Sequence, residues 1–342
     1  MKYDVVIVGA GPAGLSCAEI CSKNGLRTLV LERKVILGKK VCAGGITWNG
    51  LLRKVEDISQ KKFSTQHIFT QLQHATVSEK DPIIATVNRQ ELGKLMAAKA
   101  INCGAEIKLG WQVTKIGNDT ITIKNKKQGH CEVLKYSHLV GADGSTSTVR
   151  KYLQLPVQRY GVGINYQISG CYDNMEWHLT SKLFRSGYAW IFPHKGTISI
   201  GAYADAKVIT ALELKKNLLI WAKTVGFELE KEKAQAEVIN FDYQGSIFSN
   251  RYLAGDAAGL ASGLTGEGIY PAIISGEYIG NKIINPSHSS IEFDRLIKNH
   301  QRHRRAVSIA GKNGAVSTLL SEITCLFLRL KLLNFKAAEM AR

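Results

Sequence analysis

Three glycine-rich segments, far apart in the chain, have the residue types that hold a dinucleotide. They lie at residues 9–14, 141–145 and 255–259. Glycine lets the backbone approach a pyrophosphate closely, and the free N–H groups at a helix N-terminus favour its negative charge. In the third segment Asp256 supplies a carboxylate suited to a ribityl hydroxyl. The first segment alone fits FAD or NAD, whereas the three together predict FAD.

Each glycine of the first segment has its own role in this interpretation. Gly9 allows a tight turn, Gly11 lets the backbone reach the pyrophosphate, and Gly14 lets a helix pack closely on the preceding strand. Glu32 ends the second predicted strand, where its carboxylate can accept hydrogen bonds from the adenosine ribose. In this part of the chain, the residues predicted to contact the cofactor are Gly9, Gly11, Pro12, Ala13, Gly14, Glu32 and Arg33. In the late part they are Gly255, Asp256, Gly266, Gly268 and Ile269.

The apolar pattern predicts the elements that position these residues. The continuous apolar run at 5–8 is typical of a strand buried on both faces of a parallel sheet. A helix is expected from Pro12 to about Asn24, followed by a second strand at 27–32. Residues 158–203 are rich in aromatic and β-branched side chains with glycine breaks, which predicts an antiparallel sheet. We therefore predict an α/β fold in which a substrate domain is inserted into a discontinuous nucleotide domain.

Over roughly residues 1–300, these motifs resemble those of the flavoprotein class that includes p-hydroxybenzoate hydroxylase and geranylgeranyl reductase. The resemblance implies a Rossmann-like, three-layer ββα FAD-binding domain with an inserted antiparallel-sheet substrate domain. It also implies that Asp143 and Gly144 hold the pyrophosphate region and that Arg89 contacts the cofactor. The expected division is an FAD-binding domain at 1–67, 89–157 and 242–294, a substrate domain at 68–88 and 158–241, and a basic helical region at 295–342.

Two further segments narrow the resemblance to one branch of that class. Geranylgeranyl reductases carry a Cys followed by glycines, and a Tyr-x-Trp-x-Phe-Pro segment; this chain is similar at residues 40–46 and 188–193. The late segment at 265–269 also looks like theirs. The family has Gly-x-Gly after the aromatic segment, whereas this chain has Gly-Ala-Tyr at 201–203. The resemblance implies an enzyme that reduces double bonds of a prenyl lipid or a prenylated quinone. The sequence does not name the electron donor, which is open between NAD(P)H and a reduced redox protein.

The residue types in these two segments suit that chemistry. Saturating an isolated alkene needs a hydride on one carbon and a proton on the other, and the Cys42 thiol could deliver or position the proton. Tyr188, Trp190 and Phe192 would line an apolar slot for an isoprenoid chain and stabilise developing positive charge. Two plainer interpretations stay open: a single Cys is often a packed small hydrophobe, and an aromatic strand is often core.

Two rival functions also remain open at this point. A flavin monooxygenase uses the same cofactor motifs, and flavin halogenases carry a Gly-Trp-x-Trp-x-Ile-Pro segment that residues 187–193 partly match. A non-catalytic FAD-bound scaffold or lipid-binding module is the other rival. The Tyr and Phe replacements and the Cys-Ala-Gly-Gly loop at 42–45 favour the reductase.

The charge of the chain is concentrated towards its end. The net charge is +17, and residues 295–342 contain ten Lys or Arg against two Asp or Glu. From Val316 onward a helix with one apolar face is predicted, flanked by basic residues. This face either packs on the protein or lies on an anionic membrane surface. No signature of nucleic-acid binding accompanies the charge, and the oligomeric state is open.

Cysteine usage and hydropathy bear on location. The seven cysteines are scattered without a CxxC pair, which argues against a disulfide framework or a metal site and fits a reducing cytoplasm. No stretch reaches the ~18 apolar residues of a spanning helix. We expect a cytoplasmic protein, with peripheral association at the cytoplasmic face of the membrane as the alternative.

Overall fold

The computed structural model describes residues 2–40, 42–47, 58–334 and 339–341. Val41 of the cysteine segment therefore lies outside the described residues. Two large sheets and one small sheet account for the strands. The strands of the first sheet are β1 (Lys2–Val8), β2 (Thr28–Glu32), β8 (Glu106–Leu109), β9 (Trp111–Ile116), β10 (Thr120–Asn125), β11 (Cys131–Gly141), β17 (Ile247–Phe248) and β18 (Arg251–Leu253). Their order in the sheet is β17-β18-β11-β1-β2-β8, with β10 and β9 extending from β11.

Strand β1 is buried on both faces, as its unbroken apolar sequence predicts. It pairs in parallel with β2 on one side and with β11 on the other. Val5 and Ile7 pack against helix residues such as Leu15, whereas Val6 packs with Ile121 and other residues of the antiparallel strands β9–β11. Helices thus cover one face of the parallel sheet and a β-layer covers the other. This is the predicted three-layer ββα arrangement.

The first helix of the chain begins at Pro12, as predicted, and carries the glycine segment at its N-terminus. Five of the described helices lie in the first 224 residues. They are α1 (Pro12–Lys23), α2 (Arg89–Asn102), α3 (Thr148–Tyr152), α4 (Ser181–Phe184) and α5 (Ala211–Thr224). The later helices are α6 (Ile269–Ile284), α7 (Ile291–Ala310) and α8 (Gly314–Arg329). Helix α6 packs beside α1 on the helical face of the first sheet.

The strands of the second sheet are β5 (Thr65–Phe69), β6 (His74–Ser78), β12 (Tyr160–Ser169), β13 (Glu176–His178), β14 (Tyr188–Pro193), β15 (Thr197–Asp205) and β16 (Gln235–Asn240). Their order is β16-β12-β15-β14-β13-β5-β6, and the sheet is antiparallel except between β13 and β5. A three-stranded sheet joins β3 (Gly45–Thr47), β7 (Ile84–Val87) and β4 (Ser59–Phe63). The predicted start of the substrate domain at residue 68 falls inside β5. Strand β7, which the prediction assigns to that domain, pairs in the three-stranded sheet and not in the second sheet. The division into domains remains a prediction.

Helix α8 presents an unexpected side to the rest of the protein. Its buried residues are Ser317, Cys325 and Leu328, and the leucine-rich face predicted from the sequence points mainly to solvent. Polar contacts fix this orientation, because the Glu322 carboxylate accepts hydrogen bonds from Thr70 and from Gln73 in the β5–β6 hairpin. Within the described residues, no helix is both long and apolar enough to cross a membrane.

Candidate active site

One cavity of about 740 Å³ connects the three glycine-rich segments with the second sheet. It begins beside Glu32 at the carboxyl end of β2 and passes Asp256 at the end of β18. It then continues over the aromatic residues of β14 and reaches helices α7 and α8. Ligands of open α/β sheets bind outside the carboxyl ends of the strands. The cavity therefore lies where the sequence predicts the cofactor.

The glycines at 9–14 differ in what surrounds them. A Cβ on Gly9, whose φ is +105°, would collide with the backbone of Ala142, and one on Gly14 would collide with the carbonyl of Gly9. A Cβ on Gly11 would meet no protein atom within 4 Å and would project into the cavity. Gly9 and Gly14 are thus required by packing, whereas Gly11 leaves room for a bound group. The space beside Gly11 is therefore a cradle that any side chain at this position would fill.

Glu32 contacts the glycine loop itself. Its Oε2 accepts a hydrogen bond from the N–H of Ala10 at 3.0 Å, and its Oε1 accepts one from the N–H of Lys34 at 2.9 Å. Both Glu32 and Arg33 line the cavity. The carboxylate therefore braces the loop in addition to facing the place predicted for the ribose.

Asp143 and Gly144 lie on the turn after β11 and line the cavity. The Asp143 carboxylate is occupied, because it accepts hydrogen bonds from the Ser147 hydroxyl and from the N–H of Thr148 at 2.6 Å. Burial raises the pKa of Asp143 even though these donors lower it. Gly144 has a φ of +80° and no atom near its Cβ position. Asp143 thus orders the start of α3. The part of the cavity that a bound group could fill at this turn lies beside Gly144.

Asp256 forms an ion pair that the sequence did not predict. Lys40 Nζ lies 2.8 Å from Asp256 Oδ2, and the Ser145 hydroxyl lies 3.3 Å from the same oxygen. Burial lowers the pKa of Lys40, but the Asp256 carboxylate more than offsets this, so the pKa lies above its ordinary value. Lys40 therefore stays charged inside the cavity, next to the predicted ribityl contact. The residue stands two positions before Cys42, in a segment interpreted only for its thiol and glycines.

Arg89 points a second positive charge into the cavity. Its Nε and Nη1 are buried and have no hydrogen-bond partner among the residues that the structure describes. The residue begins α2, where the helix dipole disfavours a cation, and it lies close enough to Lys40 to oppose its charge. Such an arrangement is unfavourable without an anion. Arg89 and Lys40, together with the space at Gly11, fit the pyrophosphate of a dinucleotide.

Arg150 is a buried cation with a different role, and no sequence pattern predicted it. Its guanidinium donates to the carbonyls of Ala257, Ala258 and Asp242 at 2.9–3.3 Å. The side chain is only 1% exposed. Because it holds the turn after Asp256, Arg150 fixes the third glycine segment without lining the cavity.

Residues 262–268 form the loop before α6 and close one wall of the cavity. The Ser262 hydroxyl accepts hydrogen bonds from the N–H groups of Leu264 and Thr265, and it contacts His303 Nδ1 at 2.8 Å. Gly266, Gly268 and Ile269 all line the cavity, as predicted for cofactor contacts. No side chain caps the N-terminus of α6. Its free N–H groups are therefore available to a group bound there.

Glu267 is the buried acid of this loop. Burial raises its pKa to about 7, helped by the nearby Glu339 carboxylate, and the hydrogen bond from the N–H of Met340 opposes this. Its Oε1 is buried and accepts no hydrogen bond from the described part of the chain. The side chain thus ties residues 339–341 to the wall of the cavity through the Met340 N–H, a hydrogen bond that favours the ionised carboxylate.

The aromatic residues of β14 form the second half of the cavity. Tyr188, Trp190 and Phe192 lie on one face of the strand and pack with Trp177 and Tyr203. All five residues line the cavity. These side chains give the chamber a largely apolar lining.

Hydrogen bonds fix two of these rings. Trp190 Nε1 donates to the Ser199 hydroxyl at 3.0 Å, and that hydroxyl donates to Asn165 Oδ1 at 2.6 Å. The Tyr188 hydroxyl donates to the carbonyl of Thr265, and burial raises the pKa of Tyr188. The chamber is therefore tied directly to the loop at 262–268.

Cys42 lies where the two halves of the cavity meet. It is half-buried and lines the cavity, and its Sγ accepts a hydrogen bond from the N–H of Gly44 at 3.3 Å. Gly44 and Gly45 are closely packed, since a Cβ on either would collide with His194 or Phe192. The glycines thus let this loop lie against the aromatic strand.

The family model described as FAD binding domain matches residues 2–198. A digeranylgeranylglycerophospholipid reductase of Methanocaldococcus jannaschii is 27% identical over 81% of this chain and 76% of its own length. The chain belongs to the geranylgeranyl reductase family of FAD-dependent oxidoreductases. An uncharacterized protein of Methanosarcina barkeri is 31% identical over 88% of this chain and 80% of its own.

Solved structures confirm the fold expected for this family. A geranylgeranyl bacteriochlorophyll reductase-like protein of Thermoplasma acidophilum superposes with a TM-score of 0.83, covering 98% of this chain and 94% of its own at 20% identity. A flavin-dependent brominase superposes with a TM-score of 0.68, covering 97% of this chain and 89% of its own at 16% identity. The predicted p-hydroxybenzoate-hydroxylase-like fold, the FAD cofactor and the assignment as an oxidoreductase are confirmed. The roles of individual residues remain predictions.

Proposed function

We propose that this protein reduces carbon–carbon double bonds in the prenyl chain of a geranylgeranyl-type lipid or prenylated quinone. The observation that carries the proposal is the continuity of the cavity, which runs from the glycine cradle into the aromatic chamber. An isoprenoid chain in that chamber would lie next to the bound cofactor. Relatives named as digeranylgeranylglycerophospholipid reductases, at 24–28% identity, support the substrate class.

The cofactor, when bound and reduced, supplies a hydride to one alkene carbon. The residues of the chain would do the rest. Lys40, Arg89 and the N–H groups at Gly11 would hold the pyrophosphate, and Asp256 would orient the ribityl chain. Trp190 and its neighbours would exclude water and face the second alkene carbon, where positive charge develops. Cys42 would give the proton to that carbon or position its donor.

We propose two alternative electron donors, NAD(P)H and a small reduced redox protein. NAD(P)H would need to bind transiently, since the described chain has one dinucleotide cradle of this type. A small reduced redox protein would instead bind at the surface. Anaerobic reduction of the purified flavoprotein with each donor in turn would distinguish them.

The deciding experiment is anaerobic reoxidation. The purified holoenzyme is reduced with dithionite, a geranylgeranyl lipid or prenylated quinone is added, and recovery of the oxidised flavin spectrum is followed. We expect recovery without oxygen and a mass gain of two hydrogens per reduced bond. Recovery only after air enters, with oxygen appearing in a product, would replace the reductase with a monooxygenase. No flavin reduction by any physiological donor would favour a non-catalytic scaffold.

The halogenase-type alternative rests on shared architecture and on residues 187–193. We favour the reductase because the chamber has Tyr188 and Phe192 at the two positions that differ between the motifs. Cys42→Ala tests the direct role of the thiol. Reduced turnover with unchanged FAD content would support it, whereas wild-type turnover would remove Cys42 from the mechanism.

We also propose that the protein works at the surface of an anionic membrane. A prenyl lipid resides in a bilayer, and the basic residues at 295–342 would be attracted to anionic headgroups. Flotation with anionic vesicles should show binding that fades as salt is added. Absence of binding at low salt would contradict this proposal.

A further inference from the structure

Helix α8 lines the cavity with one face and exposes large apolar side chains on the other. Towards the protein, Ser317, Thr324 and Leu328 line the cavity, and Leu320 lines it at the edge. Towards solvent, the helix and the turn after it expose a stripe of large apolar side chains. We call this the outer stripe; its members are Leu319, Ile323, Leu326, Phe327, Leu330 and Leu332. The helix is thus both a wall of the cavity and an exposed apolar surface.

The exposure of the outer stripe is large for such residues. Leu319 is 60% exposed, Phe327 43% and Leu330 58%. An apolar patch of this kind on a water-facing helix marks an interaction surface. Neither Phe327 nor Leu330 belongs to a buried apolar cluster of the described chain.

The charges around the outer stripe favour lipid headgroups as the partner. Five basic residues on α7, α8 and their flanking turns are exposed: Arg302, Arg305, Lys312, Arg329 and Lys331. The single acidic residue of α8, Glu322, accepts hydrogen bonds from the β5–β6 hairpin, so its negative charge lies on the side of the helix that faces the protein. An exposed apolar stripe on a helix with cations at both of its ends fits a helix that lies in the interface of an anionic bilayer.

The cavity opens beside this stripe. Ile309 of α7 and Leu320 of α8 both line the cavity and are 49% and 37% exposed, so the lining reaches the protein surface at these two residues. Ala306 and Ala310 continue the lining from α7 inward. Leu320 neighbours Leu319 and Ile323 of the outer stripe. A chain leaving the bilayer at the stripe would therefore meet a path lined by Leu320, Leu328 and the two alanines of α7, with hydroxyl groups of α8 beside it.

We infer that α8 lies in the surface of an anionic bilayer through its outer stripe, and that prenyl chains enter the cavity laterally between Ile309 and Leu320. The inference deepens the proposed function and rests on it for the identity of the entering chain. The docking itself does not depend on turnover. Binding and entry can therefore be tested separately.

The docking is tested with the holoenzyme and extruded vesicles of phosphatidylcholine with or without phosphatidylglycerol. We expect Phe327→Ser combined with Leu330→Ser to weaken binding to the anionic vesicles by about tenfold or more. The matched control is Leu212→Ser combined with Ile220→Ser, which removes two exposed apolar residues from α5. An equal loss in the control, or no loss in the α8 variant, would overturn the docking.

Insertion is read from fluorescence. A tryptophan introduced by Leu326→Trp should be quenched by lipids brominated on their acyl chains, whereas Leu212→Trp should add no quenching. The alternative partner of the outer stripe is a second copy of the chain, and light scattering detects such a dimer through its molar mass. A dimer that buries position 326 and prevents vesicle binding would assign the stripe to a second copy of the chain and refute the inference.

Entry is tested by comparing two substrates, a geranylgeranyl phospholipid in vesicles and a short prenyl alcohol in solution. Leu320→Arg should slow turnover of the vesicle substrate at least tenfold more than that of the short alcohol, with vesicle binding retained. Equal effects on both substrates would contradict the lateral path. Inactivity of the wild type on every prenyl substrate would refute the proposed function, while the vesicle and quenching results would still decide the docking.

Discussion

Replacing Arg89 by methionine should weaken cofactor binding while leaving the cofactor-free protein as stable as before or more stable. The guanidinium has two buried N–H groups without partners in the described chain, stands at the N-terminus of α2, and lies near Lys40. All three features cost free energy until an anion binds. Methionine keeps most of the apolar contact area of the arginine stem.

The magnitude follows from the two donors. A hydrogen bond to a charged group contributes about 1.5–3 kcal/mol. Losing the bonds from Nε and Nη1 should therefore cost about 3 kcal/mol or somewhat more of binding free energy, or roughly a hundredfold or more in the dissociation constant of FAD. In the cofactor-free protein, removing the cation from the helix N-terminus should stabilise the fold by about 0.3–1 kcal/mol. Relief of the buried N–H groups adds to this.

The assay uses protein from which FAD has been removed. Quenching of flavin fluorescence gives the dissociation constant, and urea unfolding of the cofactor-free protein gives its stability. Lys94→Met is the control, because it removes one positive charge from an exposed position of the same helix. An unchanged FAD affinity in Arg89→Met would refute the pyrophosphate role. A cofactor-free variant less stable than the wild type by more than 1 kcal/mol or so would show that Arg89 has a structural partner.

Three further predictions concern other parts of the site. Gly11→Ala should lower FAD affinity with the cofactor-free stability unchanged, whereas Gly14→Ala should destabilise the protein by about 1–3 kcal/mol, as urea unfolding of both variants will show. Glu267→Gln should be more stable than the wild type at pH 8 by up to about 3 kcal/mol and nearly equal to it below pH 4.5. The reason is that the pKa of Glu267 in the native protein, about 7, exceeds the ordinary value of 4.5, so the wild type loses stability as the pH rises between these two values. A pH-independent difference in thermal unfolding would contradict this. Ser199→Ala should leave Trp190 Nε1 without its acceptor, cost about 1–3 kcal/mol of stability and shift the tryptophan emission, and unchanged emission would disprove the contact.

The sequence predicted the nucleotide half well because its signals are local. The run at 5–8, the turn at Gly9 and the helix start at Pro12 lie within eight residues, and each depends on backbone geometry that neighbouring residues determine. The position of Gly11 facing open space follows from the same turn. Contacts across long sequence separations were not predictable in this way. Lys40 and Asp256 are 216 positions apart, so no spacing rule connects them.

Arg150 shows why a buried cation escapes prediction. In sequence it stands beside Lys151 near the end of a short helix, a setting typical of solvated charge. Its burial depends on carbonyls of residues 155, 156, 242, 257 and 258, which come together only when β16 and β18 are in place. A guanidinium has five donors, and only the assembled fold supplies enough acceptors to compensate its desolvation.

Helix α8 shows the limit of amphipathic patterns. The spacing of its leucines correctly predicts a helix with one apolar face, but periodicity does not state what that face contacts. Here Glu322 binds the β5–β6 hairpin and Cys325 fills a small buried cluster, so the mixed face turns inward. The leucines are left outside, next to the residues at which the cavity lining reaches the protein surface. If α8 served only to cover the fold, burying the leucines would stabilise it more. The observed orientation is the one expected if, as we propose, the leucines contact the bilayer from which a prenyl substrate would come.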